Sequence, residues 1–368
     1  MEQIPLVNLS SQYAKIKDEL LAKIQQVIES RQFIQGPFAT EFENAFLKSH
    51  QAPYGIPCSN GTAAISLVLE ALGIGRGHEV ITTTNTFIAT VEAICHVGAK
   101  PVLVDIDPDT YCMDPHAIEA AITNKTKAII PVHIYGNPCE MDTIMTMAKK
   151  HNLAVIEDSA QAHLAMYKGQ YVGTFGEGAT FSFYPGKNLG AFGDAGFIFT
   201  KSEGTLKHIR RLIDHGRVDK YFHDIIGYNH RMDGIQAAIL SVKLQYLEEW
   251  TETRIQNART YDSLLEDTGV KTLKVQKESK AVYHLYPVQV SNRDEVASRL
   301  KERGIATGIH YPVPLHLQPA LKELGYKKGQ FPAAENLASR ILSLPMCGEL
   351  QLSQIEFICR EFKSLARP

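Results

Sequence analysis

The stretch Phe181-Ser182-Phe183-Tyr184-Pro185-Gly186-Lys187-Asn188-Leu189-Gly190 runs an aromatic strand into a Pro-Gly turn that carries a single lysine. The return, Ala191-Phe192-Gly193-Asp194-Ala195-Gly196, is glycine-rich and leads into a second apolar strand, Phe197-Ile198-Phe199-Thr200. Glycines let the backbone fold tightly behind the turn, so Lys187 is set apart from the solvated surface lysines. Taken alone, Gly-Lys also suits an ordinary turn beside a surface cation. It does not suit a phosphate loop of the nucleotide-triphosphate kind. Phe181 stands where that loop needs its first glycine, and Asn188 where it needs Ser or Thr.

About thirty residues upstream, the apolar run Leu153-Ala154-Val155-Ile156 closes in Glu157-Asp158. A buried strand ending in a carboxylate, followed by a strand reaching an isolated lysine, is the pair that pyridoxal phosphate chemistry requires. The lysine forms a Schiff base with the cofactor aldehyde, and the carboxylate keeps the pyridine nitrogen protonated so that the ring accepts carbanion electrons. On these residues the chain resembles the sugar aminotransferases of the DegT/DnrJ/EryC1/StrS family, from Ile4 to about Phe362. The resemblance implies an α/β fold of the aspartate aminotransferase type (fold type I). That is a mainly parallel seven-stranded sheet in a large domain, residues 1–250, with a smaller α+β C-terminal domain, residues 251–368. It also implies that Lys187 holds pyridoxal 5'-phosphate and that Asp158 pairs with the ring nitrogen.

Other segments take meaning beside that pair. Asn60-Gly61-Thr62 opens a helix, and a helix start offers free amides and the positive dipole end to a phosphate. Simple capping by Asn60 or Thr62 also explains it. By resemblance Gly61, Thr62 and Ser182 hold the cofactor phosphate, although Asn60 departs from the commoner serine. Phe87, past the strand end at Thr84-Asn85-Thr86, is core filling or, by resemblance, the aromatic that faces the pyridoxal ring. Gln161 matches the residue that contacts the cofactor hydroxyl. His163 suits either support of Asp158 or a core position. Leu164 stands where many relatives have glycine. Tyr184 suits either a strand core or contact with a sugar.

Between His78 and Asp158 strands alternate with helices, the pattern of a mainly parallel sheet with ligands at the carboxyl ends of its strands. Helices are expected at Leu20 to Ser30 and Phe38 to Ser49, and a long one from Asp233 to about Arg254, with a cap at Asp233. The lone Trp250 reads as packing. Beyond about Thr251 a smaller unit follows: helix Arg254 to Glu266, strands near Lys271 to Val275 and Tyr283 to Val290, and helix Asp294 to Arg303. The loop Gly304 to Pro319 is expected to expose His310 and Tyr311, which suit a sugar or a rigid turn between domains. Gly227-Tyr228-Asn229-His230-Arg231 matches a family motif whose asparagine reaches the phosphate in the neighbouring subunit. Asn229 therefore implies a homodimer with shared active sites.

The 368 residues, 44% of them hydrophobic, are enough for a large core. No run approaches the ~20 apolar residues of a membrane span, and the N-terminus lacks the features of a signal peptide, so a cytoplasmic protein without a membrane role is expected. Six scattered cysteines give neither a disulfide framework nor a metal site, and a net charge of −2 gives no footprint for nucleic acid. The resemblance implies a transaminase moving an amino group from L-glutamate to a nucleotide-linked keto sugar, in amino-sugar and glycan or lipopolysaccharide biosynthesis. His310-Tyr311-Pro312 followed by His316-Leu317-Gln318-Pro319 resembles the members that aminate C3 of a dTDP-3-keto-6-deoxyhexose. The alternatives are C4 amination of a UDP-linked keto acetamido sugar and a non-catalytic regulatory protein of the same fold.

Overall fold

In the computed structural model, which describes residues 3–366, strands and helices alternate through the first two hundred residues. The strands are β1 (Tyr54–Cys58), β2 (Glu79–Thr83), β3 (Lys100–Val104), β4 (Thr126–Ile130) and β5 (Ala154–Asp158). After the short hairpin β6 (Met166–Tyr167) and β7 (Gln170–Tyr171) come β8 (Gly178–Ser182) and β9 (Gly196–Thr200). One seven-stranded sheet forms in the order β1-β9-β8-β5-β4-β2-β3. Its pairs are parallel from β8 to β3, while β9 runs antiparallel to both β8 and β1.

The central strands are buried on both faces, which is why they read as continuous apolar runs. Their period of two splits them cleanly. Val80, Ala128, Ile130 and Ile156 face one core with α3 (Gly61–Ala71), α4 (Ala89–His96) and α7 (Glu203–Leu212), whereas Ile81, Ile129 and Val155 face the other. This second core continues into the C-terminal part, through Tyr286, Val288 and Leu342. In β8, Phe181 turns to a third core with Phe42 and Phe46 of α2 (Gly36–His50), joined by Phe183 beyond the strand, and the intervening Ser182 faces the opposite way. The rings meet edge to face, Phe46 lying 5.2 Å from both Phe181 and Phe183. Burying each such ring contributes about 1.5–3 kcal/mol. This lattice anchors the strand that leads to Lys187.

The first helix, α1 (Leu9–Ser30), begins well before Leu20, because Asn8 caps it by accepting a bond from the Ser11 amide. The expected long helix ending near Arg254 is two: α8 (Gly234–Leu244) and α9 (Leu247–Leu265), parted at Gln245-Tyr246. Asp233 stands at the start of α8 but makes no side-chain cap. Trp250 is buried and stacks on Tyr246, joining α1 to α8 and α9. Residue 250 thus falls inside α9. A second sheet, β10 (Lys271–Thr272), β12 (Tyr286–Gln289) and β13 (Ile341–Leu344), forms in that order, and β11 (Ser279–Lys280) joins the β6 hairpin. Helix α10 (Arg293–Glu302) follows β12. Past Pro319, α11 (Pro332–Arg340), β13 and α12 (Leu352–Lys363) lie beyond what the sequence pattern predicts. No helix among the described residues is long and apolar enough to cross a membrane.

Candidate active site

The carboxyl ends of the parallel strands open on a cavity of ≈ 660 Å³ that gathers nine of the eleven candidate site residues. They are Gly61, Thr62, Phe87, Asp158, Gln161, Ser182, Tyr184, Lys187 and Tyr311. All but Tyr311 arrive from a strand end of this sheet or the segment behind it, as the rule for such sheets requires, and Tyr311 comes from the loop after residue 302 in the C-terminal part.

Lys187 sits in a turn closed by its own amide donating to the Tyr184 carbonyl. Behind it Gly190 lies so close to Pro185 that a Cβ there would be 2.3 Å from the Pro185 oxygen, so only glycine permits the return. Asn188 donates to the Val282 carbonyl at 2.9 Å, and the ammonium of Lys243 donates to the Gly190 carbonyl. The lysine's own Nζ makes none of the hydrogen bonds or ion pairs of the described residues. Burial lowers it to about 8, against the opposing pull of Asp158.

Glu157 and Asp158 are separated by the pleat. Glu157 turns from the cavity and is held by the amides of Gly173, Phe175 and Gly176 and by His133 Nε2. The Cys139 amide donates to His133 Nδ1, so the proton on this ring lies on Nε2, toward Glu157. Asp158 faces the cavity and accepts from the Thr90 hydroxyl at 2.8 Å and the Ala160 amide at 3.2 Å. Burial raises its carboxyl, while Thr90, Ala160 and Lys187 draw it down. His163 gives it no hydrogen bond. That ring lies among Phe46, Phe181 and Phe183, and burial keeps it neutral. Leu164 adopts a left-handed φ of 64°, a conformation that favours glycine, and its amide donates to His50 Nε2.

At the third corner, Asn60 caps α3 by accepting from the Ala63 amide at 2.8 Å. The cap leaves the phosphate reading open, since the amides of Gly61 and Thr62 donate to no group among the described residues. Gly61 packs on Ser182, where a Cβ would meet the Ser182 Cβ at 2.9 Å. This is a helix start with free amides beside a hydroxyl, the chemistry of an anion cradle. Phe87 is 55% exposed into the opening, its ring 5.9 Å from that of Tyr311. Gln161 accepts the Tyr135 amide and points its own NH₂ at the Tyr311 hydroxyl, 3.5 Å away.

Two candidates lie outside this cavity. His310 is half-buried rather than exposed, its ring bonded to Ser343 and lowered by burial to about 4, because its loop folds back onto β13. Tyr311 likewise is half-buried, its ring walling the cleft. Asn229 belongs to the loop 214–231, its carboxamide oxygen accepting from Arg231. Sequence reasoning missed Thr90, Tyr135, Asp194 and Lys243. Thr90 and Tyr135 follow strand ends, where that rule looks for ligands, and Asp194 lies in the glycine-rich return. Lys243 carries no local signal, being a lysine in a helix. No metal-binding cluster occurs among the described residues.

An unpartnered amine of lowered pKa, a buried carboxylate and an anion cradle around one cavity fit pyridoxal phosphate, and with this sheet they define an aminotransferase of fold type I. The DegT/DnrJ/EryC1/StrS aminotransferase family matches residues 14–363, and the chain belongs to it. It is 46% identical to a protein of Geobacillus stearothermophilus named "Pleiotropic regulatory protein", over 99% of each chain. It is 42% identical to UDP-2-acetamido-2-deoxy-3-oxo-D-glucuronate aminotransferase of Pseudomonas aeruginosa, over 97% of this chain and 98% of that one. Among solved structures, S. venezuelae DesV in complex with a ketimine intermediate superposes with a TM-score of 0.97 at 37% identity, covering 99% of this chain and 98% of that one.

Proposed function

We propose that this chain transfers the amino group of L-glutamate to C3 of a nucleotide-linked 3-keto sugar, acting in the cytoplasm as a homodimer. The observation that carries the reading is the free Lys187 amine and the Asp158 carboxylate on one cavity whose third corner is the start of α3. Bound there, pyridoxal phosphate supplies the electron sink that stabilises charge at the amino acid's Cα and carries the amino group between the two substrates.

The chain's own residues do the rest. Gly61, Thr62 and Ser182 bind the phosphate, Phe87 covers one ring face, and Gln161 bonds the ring hydroxyl. Asp158, steadied by Thr90, keeps the ring nitrogen protonated. Lys187 would hold the cofactor, and its amine, when free, would serve as the base that moves a proton at the donor's Cα. A pKa of about 8 leaves part of that amine free at neutral pH. Tyr184 and Tyr311 orient the sugar, and His310, its ring bonded to Ser343, steadies the loop that carries Tyr311. Asn229 completes the phosphate site of the other subunit, and the exposed Tyr221, Phe222 and Ile226 of its loop, with Phe33 and Ile34, supply an apolar face for that contact.

C3 is favoured by the His310-Tyr311-Pro312 loop and by the 3-oxo sugar named for the Pseudomonas relative. A dTDP-linked 6-deoxy sugar and a UDP-linked acetamido sugar are the two acceptors to compare. Borohydride should fix the cofactor to wild-type Lys187 and leave Lys187→Ala unlabelled and inactive; turnover retained by that variant would overturn the assignment. NMR of the product from each keto sugar locates the new nitrogen, and nitrogen at C4 would refute the regiochemistry. The relative named as regulatory gives the second reading, a non-catalytic protein. Glutamate would then fail to convert the bound cofactor to its amine form.

A further inference from the structure

Tyr135 touches neither end of the chemistry, yet it is bonded to both sides of the cavity. It lies three residues after Val132, past β4, with a left-handed φ of 59° that bulky residues rarely adopt. Its amide donates to Gln161 Oε1 at 2.6 Å. With that oxygen taken, the Gln161 NH₂ is left for Tyr311 and the cavity. Its carbonyl accepts the His284 amide at 2.8 Å, while the Gly136 carbonyl accepts that of Val282. The same strip, Val282 to His284, takes the Asn188 amide from the Lys187 turn and Arg254 from α9. Finally, the Tyr135 hydroxyl bonds with Asn85 and donates to the His310 carbonyl.

The ring is fully buried and packs edge to face on Tyr111 at 6.2 Å. A phenylalanine would fill the same space, so packing does not account for the hydroxyl. What the hydroxyl fixes is the backbone just before Tyr311, whose ring walls the cavity opposite Phe87. We propose that Tyr135 is a positioning residue that joins the cofactor-facing amide of Gln161 to the sugar-facing loop at His310-Tyr311, its hydroxyl serving the sugar half-reaction in particular. This rests on the reading of that loop as a sugar contact. A nucleotide-linked sugar spans far more of the opening than glutamate does, so a shift of the loop penalises the sugar more.

The test is Tyr135→Phe in the full-length, cofactor-loaded enzyme, with each half-reaction followed separately by cofactor absorbance. Removing the donor takes this bond from the part-buried His310 carbonyl, and the expected effect is on the order of a 10-fold loss of kcat/KM with the keto sugar. The glutamate half-reaction should stay within about 2-fold, since nothing it uses is moved. Calorimetric affinity for UDP-linked and dTDP-linked 3-amino sugars should fall by a similar factor for whichever one binds wild type, with the thermal midpoint lowered by no more than a few degrees. Combining Tyr135→Phe with Tyr311→Phe should cost less than the product of the two single losses, because the first acts through the second. Equal losses in both half-reactions, no loss in either, or a variant that does not fold would each make the hydroxyl structural or idle and overturn the proposal. A wild-type enzyme that aminates no keto sugar would show the functional reading itself to be wrong, visibly and without the variant, and the proposal falls with it.

Discussion

Lys187 and Lys243 are both lowered by burial to about 8, yet Lys187 lines the ≈ 660 Å³ cavity while Lys243 borders only a small one of ≈ 30 Å³ beside α1. Desolvation disfavours the ammonium form in both. At Lys243 the ammonium is spent on the Gly190 carbonyl, whereas at Lys187 the same drop leaves a nucleophile near neutral pH. The sign of the pH effect follows. Below about 8 the Lys187 amine is mostly protonated and cannot attack an aldehyde; above it the free amine predominates. Mixing apoprotein with pyridoxal phosphate should therefore give a capture rate, read from visible absorbance, that rises with pH and levels off above about 8. A rate still climbing at pH 10 would mean an ordinary solvated lysine.

At the scale of elements, the Lys187 turn is held from two sides, by α8 through Lys243 and by the strip before β12 through Asn188. A turn with a Pro-Gly start and a tight glycine return has little stiffness of its own. Its position must come from these outside bonds. Lys243→Met keeps the length of the side chain and removes the donor, leaving the Gly190 carbonyl unpaired and Glu349 with only Arg254 and Lys15 as nearby positive charges. Chemical denaturation should show a loss of about 1–3 kcal/mol, and turnover should fall in both half-reactions because the lysine loop serves both. Full stability with full activity would mean that the loop needs no support from α8.

For the whole molecule, nine candidate residues share one cavity and Asn229 stands apart on a loop whose Tyr221 and Ile226 are 81% and 93% exposed. Assembly as a symmetric dimer with shared sites makes a quantitative prediction. Alone, Lys187→Ala should be inactive and Asn229→Ala weakly active. Unfolded and refolded together, half of the dimers are mixed, and each of those has one intact site, so about a quarter of wild-type activity should return. No gain on mixing would place Asn229 in its own subunit's site or outside catalysis.

How much was legible follows from where each signal lives. Strand period, the Pro-Gly turn around Lys187, the carboxylate closing β5 and the cap at Asn60 are local, encoded by residues within a few positions of one another, and the sequence by itself determined them. The break at Gln245-Tyr246 was not legible, because no glycine or proline marks it and apolar residues continue on both sides, through the buried α8 and on to Leu247 and Trp250 of α9. Nor could neighbouring acids declare which of them meets the ring. Alternation sends Glu157 and Asp158 to opposite faces, but only the packing of His133 and the amides at 173–176 on one side, and of Thr90 on the other, decides which is which. The same holds for Tyr135 and His310, 175 positions apart. Such pairings depend on how crossovers bring distant segments together, and no local spacing carries that information.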